Sequence, residues 1–236
     1  MKLDNIELYN KLKEKNVSYL YHANSLTTSL GFIKNGGLFS RGEMERRNIN
    51  QTEQDSDYVD RKYNVWDDIF LDTVDLHGYI YSQYSRQNIY GPVLFILKSE
   101  LLRDCQFNNS WITTDNPTNW YKNGDTKIYF DTIERYINVM NDNRQQKMIT
   151  IRNINNPIPF NEYLDHIELD NPQRCFNESN ISAYQYAYKS LEDAVTTAGL
   201  KVNIFEHRCN SNCFCKNNYK AMNKIKFNKY FLYADN

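Results

Sequence analysis

The sequence predicts an α+β protein with mainly antiparallel strands, and three observations lead there. Stretches with helical spacing and stretches with strand spacing follow one another irregularly, without the βαβ alternation of a doubly wound sheet. No glycine-rich dinucleotide fingerprint and no Walker loop is present, so neither a Rossmann unit nor a P-loop unit is expected. The 236 residues include only 8 Gly and 5 Pro and carry no repeat, low-complexity tract or linker, which favours one domain spanning 1–236 around one core.

Along the chain, a leading helix is expected from Leu3 to Lys15 and a strand from Val17 to Tyr21. A helix from Ser25 to Lys34 follows, with Leu26, Leu30 and Ile33 on one face and Gly36-Gly37 as its stop. Arg41 to Asp60 is polar and short of apolar anchors, and is read as a mobile loop or a loop with one short helix. Val65 to Leu71 comes next. The unbroken run Val93 to Leu97 suits a strand buried on both faces.

Thr132 to Met140 places Ile133, Tyr136, Ile137 and Met140 on one helical face, and Met148 to Ile151 reads as a strand. The longest helix is expected from Ser182 to Ala198, opened by a Ser182-x-x-Gln185 capping box and closed at Gly199. Leu200 to Phe205 and Ile225 to Tyr233 are read as the last strands.

Hydrophobic residues are 41% and charged residues 24% of the chain, as in soluble globular proteins. No apolar run approaches the roughly 20 residues a bilayer requires, and the charged N-terminal segment has no signal-peptide core, so a cytoplasmic protein without a membrane partner is expected. A net charge of -1 gives no global attraction to polyanions. A local patch exists in the C-terminal segment of about 206–236: from Arg208 onward, Arg208, Lys216, Lys220, Lys224, Lys226 and Lys229 meet only Asp235. Phe214, Tyr219, Phe227, Tyr230 and Phe231 are interleaved with them. Cations for phosphates beside aromatic faces for bases suit single-stranded DNA or RNA, and Lys216, Lys220, Lys224 and Lys226 are the predicted contacts. An ordinary strand of alternating Lys and apolar residues reads the same way.

Five cysteines are present, three of them in the run from His207 to Cys215. His207, Cys209, Cys213 and Cys215 form a weak zinc candidate, because Cys-x3-Cys-x-Cys is not the usual paired knuckle; reduced thiols in a loop are the plainer reading. The acidic stretch Asp67 to His77 fits no calcium loop or zinc spacing and reads as caps and turns.

The segment Tyr19 to Arg41, YLYHANSLTTSLGFIKNGGLFSR, puts His22 and Asn24 where a strand gives way to a helix, a place that can present ring nitrogens and helix-start N–H groups to one ligand. This segment resembles the opening of the DarT family of NAD-dependent ADP-ribosyltransferase toxins, which modify nucleic acid. The similarity continues through DRKYNVWDDIFLDTVDLH, GPVLFILKSELL and NRQQKMITIRNINNPIPFNEYLDHIEL, covering roughly Tyr19 to Leu169.

The resemblance implies split antiparallel sheets with flanking helices, NAD as substrate and a base in single-stranded nucleic acid as acceptor. An antitoxin protein or a reversing glycohydrolase is implied as partner. His22 and Asn24 match the family's early NAD-binding positions, and Arg61 resembles the arginine placed before its central block. Arg41, Arg46 and Arg47 compete with Arg61 for phosphate, a task that suits the planar guanidinium fork. Tyr9, Tyr58, Tyr63 and Trp66 cannot be assigned to nicotinamide stacking.

The chain departs from the family at the late catalytic glutamate, where it reads Arg144-Gln145-Gln146-Lys147-Met148. Gln146 holds the matching register; its amide keeps the shape of Glu and loses the charge. Three readings stay open: a pseudo-enzyme, a substitute carboxylate such as Glu134 or Glu162, or an engineered replacement of Glu by Gln. His22, Asn24 and Arg61 are expected around one cleft with Gln146 on its rim. A binding protein that kept the fold, and a transferase acting on protein, are the rival functions.

Overall fold

The computed structural model describes residues 2–82, 90–124, 126–176, 180–208 and 215–233. In chain order the elements are α1 (Asn5–Glu14), β1 (Tyr19–Asn24), α2 (Leu26–Lys34), β2 (Gly37–Leu38), α3 (Arg41–Arg46), α4 (Asp57–Lys62) and β3 (Ile69–Leu71). Then come β4 (Val93–Lys98), β5 (Ser110–Ile112), α5 (Ile133–Val139), β6 (Ile149–Ile151), β7 (Ile158–Pro159), α6 (Phe160–Tyr163) and β8 (Leu164–Leu169). The last elements are α7 (Ala183–Thr197), β9 (Asn203–Glu206), α8 (Cys215–Ala221) and α9 (Lys224–Phe231). Short 3-10 turns link β4 to β5 and open the segment after β5.

The α+β expectation holds. One sheet has the order β1-β4-β8-β9, a second β3-β6-β5, and β2 pairs with β7. Every pairing is antiparallel except β8 with β9. A bridge between Tyr21 and Asp72 joins the end of β3 to β1, so the two larger sheets meet edge to edge.

Val93 to Leu97 of β4 lie at 0 to 2% exposure, because the strand is central in its sheet and covered on both faces. Phe95 meets Phe32 of α2 at 5.9 Å, edge on, and stacks on Phe160 of α6 at 5.2 Å. The expected buried run and the helices of α1, α2, α5 and α7 are thus found within a residue or two of their predicted limits. α7 is capped as anticipated, with Ser182 Oγ accepting from the Gln185 N–H at 3.3 Å and Gly199 at φ 65° ending it.

Three expectations are corrected. Ile225 to Tyr233 is no strand: most of it lies in the helix α9, capped by Asn223, whose Oδ1 accepts from the Lys226 N–H at 2.9 Å. Phe227 and Phe231 stack at 4.8 Å one helical turn apart, so spacing that alternates by two also satisfies a helix. Arg41 to Asp60 contains two short helices in place of a mobile loop. Polar side chains pin it: Asp57 Oδ2 accepts from Arg41 Nη2 at 2.6 Å and from the Gln54 N–H at 3.0 Å. β1 extends to Asn24, which places His22 inside the strand instead of at its end.

Gly91 is where the chain enters β4 across the junction of β1 and α2. Its φ is 151°, and a Cβ there would lie 2.1 Å from the Asn24 carbonyl carbon and oxygen. Gly124, at φ 64°, has open space around it. The Gly91→Ala variant is therefore expected to lose at least ~2 kcal/mol in urea titrations, and Gly124→Ala about 1 kcal/mol.

Candidate functional site

The residues of β1 and β3 and the segment between α3 and β3 wall a cleft of about 300 Å3. His22, Asn24, Arg41, Trp66, Tyr90, Asn116 and Thr118 face it, with Asp60 and Asp68 at its side. A second groove of about 440 Å3 shares the walls Gln54, Ser56, Tyr90 and Thr118 and continues to Ile225, Lys226, Lys229 and Tyr230 on α9. Pockets of a few hundred Å3 with few polar groups are the usual form of small-molecule sites.

His22 is oriented by two bonds. Its Nδ1–H donates to the Phe70 carbonyl at 3.0 Å, which leaves Nε2 to accept from the Asn24 amide at 3.4 Å. Asn24 Oδ1 in turn accepts from the Ser25 N–H at 2.9 Å and from Gln54 Nε2 at 3.2 Å. Burial lowers the His22 pKa and the Arg41 charge lowers it further, against the pull of the Phe70 carbonyl, so the ring is neutral near neutral pH. Ser25 caps α2 by position, but its hydroxyl bonds Thr28 and Thr52 in place of a helix N–H.

Arg41 is the arginine of the cleft. Asp57 takes one of its nitrogens, and Trp66 lies 5.1 Å from the guanidinium carbon. Nε and Nη1 are shielded and have no protein acceptor. Arg61 does not line this cleft: it is half exposed, bonds Glu45 at 2.9 and 3.0 Å, and its guanidinium carbon lies 3.8 Å from the centre of the Trp66 ring. The expectation that Arg61 faces the cleft is corrected because α4 turns it toward Glu45 of α3, which leaves Arg41 as the arginine lining the cleft. Arg46 and Arg47 are also turned away, both bonded to Glu43.

Gln146 precedes β6 and is completely buried, not on the rim. Its Oε1 accepts from Tyr90 at 2.5 Å and Asn116 Nδ2 at 3.0 Å, and its Nε2 donates to Asp72 Oδ2 at 3.1 Å. Its backbone N–H donates to Asp115 Oδ1 at 3.2 Å. It stands directly behind two residues that face the cleft. Glu134 and Glu162, the substitute carboxylates considered, are both exposed and neither faces it.

Two other carboxylates are present. Asp72, buried and also bonded by Tyr81 at 2.9 Å, has its pKa raised to about 7 by loss of solvent. Asp60 is likewise raised to about 7, by burial and by the neighbouring Asp57. Sequence reasoning missed Asp72, Tyr90 and Asn116. Asn116 was accessible as an Asn-Pro helix start, its Oδ1 accepting from the Thr118 N–H at 3.0 Å, but nothing local marks Asp72 or Tyr90.

In the tail, Lys226 lines the second groove, whereas Lys216, Lys220 and Lys224 do not. Tyr219, Phe227 and Phe231 are core residues at 0 to 1% exposure and offer no face to a base, and Phe214 lies outside the described residues. The aromatic part of the tail expectation is corrected accordingly. Of the weak zinc candidates, Cys209 and Cys213 lie outside the described residues; His207 and Cys215 are buried. Among the described residues no helix is long and apolar enough to cross a membrane.

No protein-family model matches the chain, and no curated protein matches it.

The His22 arrangement has a pH signature. Its folded pKa is below the ordinary 6.5, so between the two values the unfolded chain binds more protons. The stability linked to the neutral ring is complete above 6.5 and declines as pH falls through the folded value. Compared by thermal unfolding between about pH 8 and about pH 5, the wild type should lose more stability on acidification than His22→Gln; parallel curves would refute the neutral ring.

Proposed function

We propose that this chain has the ADP-ribosyltransferase fold and transfers ADP-ribose from NAD to a base in single-stranded DNA or RNA, as a toxin held in check by an antitoxin protein or a reversing glycohydrolase. The observation that carries the reading is Arg41, a partly buried guanidinium with two shielded nitrogens lacking protein acceptors, set in a cleft beside neutral His22 and Asn24. A dinucleotide pyrophosphate supplies acceptors for such a fork, and ribose hydroxyls suit an imidazole and an amide. The split sheets and the resemblance of Tyr19 to Leu169 to the DarT family support the same reading.

The second groove adds an acceptor path. It opens from the shared wall at Tyr90 and Thr118 and carries Lys226 and Lys229 for phosphates, with the exposed Ile225 and the half-buried Tyr230 for bases. In the reaction the bond between nicotinamide nitrogen and ribose C1′ breaks through an oxocarbenium-like state. The acceptor atom then bonds C1′ and gives up its proton. A carboxylate at Gln146 would stabilise the positive charge; the amide cannot.

A second reading, an NAD-binding protein without transferase activity, is favoured by one observation. The Gln146 amide is used at both ends, its oxygen by Tyr90 and Asn116 and its nitrogen by Asp72. The site nevertheless accommodates Glu, because Asp72, with its pKa near 7, can keep a proton and donate it to the new carboxylate.

Two experiments separate the readings. Calorimetry with NAD should show binding to the wild type and about 10-fold to 100-fold weaker binding to Arg41→Ala, the range expected for lost charge-assisted hydrogen bonds. Gln146→Glu, incubated with labelled NAD and separate pools of DNA, RNA and protein, should gain on the order of 100-fold to 1,000-fold in transfer to nucleic acid with little change in NAD affinity. Absence of NAD binding defeats both readings. NAD binding by a soluble Gln146→Glu protein without transfer favours the second, and labelling of protein alone changes the acceptor.

A further inference from the structure

Away from the cleft, three buried side chains from distant parts of the chain point at one another. His77 follows β3, Asp170 ends β8, and His207 follows β9; each is at most 5% exposed. His77 Nδ1 lies 3.2 Å from Asp170 Oδ1, and His207 Nδ1 lies 3.1 Å from the same oxygen.

The outer atoms of all three groups are already committed. His77 Nε2 lies 2.8 Å from the Gly91 carbonyl oxygen, which can only accept, so this nitrogen carries the proton. His207 Nε2 lies 3.0 Å from Asp75 Oδ2 and is a donor for the same reason. Asp170 Oδ2 accepts from the Tyr219 hydroxyl at 2.7 Å.

With both rings protonated at Nε2, the inner edge presents two imidazole nitrogens to a carboxylate oxygen. If those nitrogens are lone pairs, three electron-rich atoms face each other in a buried space, which needs a cation. If they carry protons instead, two imidazolium rings with centroids 5.3 Å apart are buried together, an arrangement burdened by mutual repulsion and desolvation. His207 Nδ1 and Asp170 Oδ1 are, despite their proximity, not aligned for a hydrogen bond.

We propose that His77 Nδ1, His207 Nδ1 and Asp170 Oδ1 are ligands of a zinc ion. One Zn2+ replaces the two protons that an ion-paired cluster would need. Donor atoms about 2.0–2.2 Å from zinc in a tetrahedron stand roughly 3.3–3.6 Å apart, so the observed spacing needs only a small expansion. Each histidine already donates its remote N–H to a carbonyl or carboxylate, the arrangement that orients zinc-bound imidazoles elsewhere. The three protein donors leave the fourth position of a tetrahedral site open.

Such a metal would clamp three segments. It would hold the 72–79 turn, whose Asp72 bonds Gln146; it would hold Gly91, next to Tyr90; and it would anchor the chain leading into α8 and α9. Its role is structural support of the cleft walls, independent of which reaction the cleft performs.

The test uses the full chain without a metal-binding tag. After chelation and dialysis the wild type should take up one zinc per chain when Zn2+ alone is added. Its thermal midpoint should rise with Zn2+ concentration, and uptake should weaken on acidification as protons compete for the histidines. X-ray absorption should find two imidazoles and at least one carboxylate oxygen around the metal. Asp170→Asn, if folded, should bind zinc at least about 10-fold more weakly. No stoichiometric uptake by the wild type, a shell of sulfur without histidine, or a folded Asp170→Asn with unchanged affinity would each overturn the site.

Discussion

A buried primary amide must find acceptors for its N–H groups and donors for its oxygen, and the segments that supply them become locked together. Gln146 imposes this condition on the molecule. Its partners come from the turn after β3, from the residue just ahead of Gly91, and from the start of the 3-10 turn after β5. Each segment is held in place by a contact that would be costly to leave unmade. Tyr90, fixed in this way, becomes the shared wall of both clefts, so the form of the whole surface region depends on a side chain that the solvent never reaches.

The electrostatics around this hub differ from those of an ordinary polar surface. His22 is neutral, Arg41 is charged with only part of its fork occupied, and Asp60 and Asp72 sit near the point of half-protonation. The cleft therefore carries less negative charge than its residue list implies. An anionic ligand meets a guanidinium without strong opposition from the neighbouring carboxylates. Elsewhere the logic is reversed: Asp75, Asp170, His77 and His207 gather in a largely buried cluster whose inner edge suits a cation. Both arrangements lean on the same chain turn, because Asp72 serves one and His77 the other, five residues apart.

Local chemistry carries much of the fold. The β4 run, the Ser182 and Gly199 limits of α7, and the apolar face of α5 could be read because apolar spacing and capping act over a few residues. The C-terminal helix was misread for the same reason: in a run of nine residues Lys and aromatic positions satisfy a period of 2 and of 3.6 together. Only packing decided, since Phe227 and Phe231 both reach the core when the segment is helical. The polar stretch from Arg41 to Asp60 gave little apolar signal, because hydrogen bonds such as Arg41 to Asp57 organise much of it.

Of the residues that the sequence singled out, His22, Asn24 and Arg41 line the cleft, while Gln146 is buried behind it and not on its rim. The choice between the two arginines was decided by the tertiary structure, which turns α4 toward Glu45 and leaves Arg41 inside. His207 was a zinc candidate and Asp72 and His77 lay in the acidic stretch, but their partners, and any role for Tyr90 or Asp170, could not be read from the sequence. Decisive partners lie far away along the chain, 56 residues for Tyr90 with Gln146 and 132 for Asp75 with His207, and no local pattern records a contact of that separation. Residue types and short-range spacing are written in the chain; which distant groups share a buried space follows only from how the sheets close on one another.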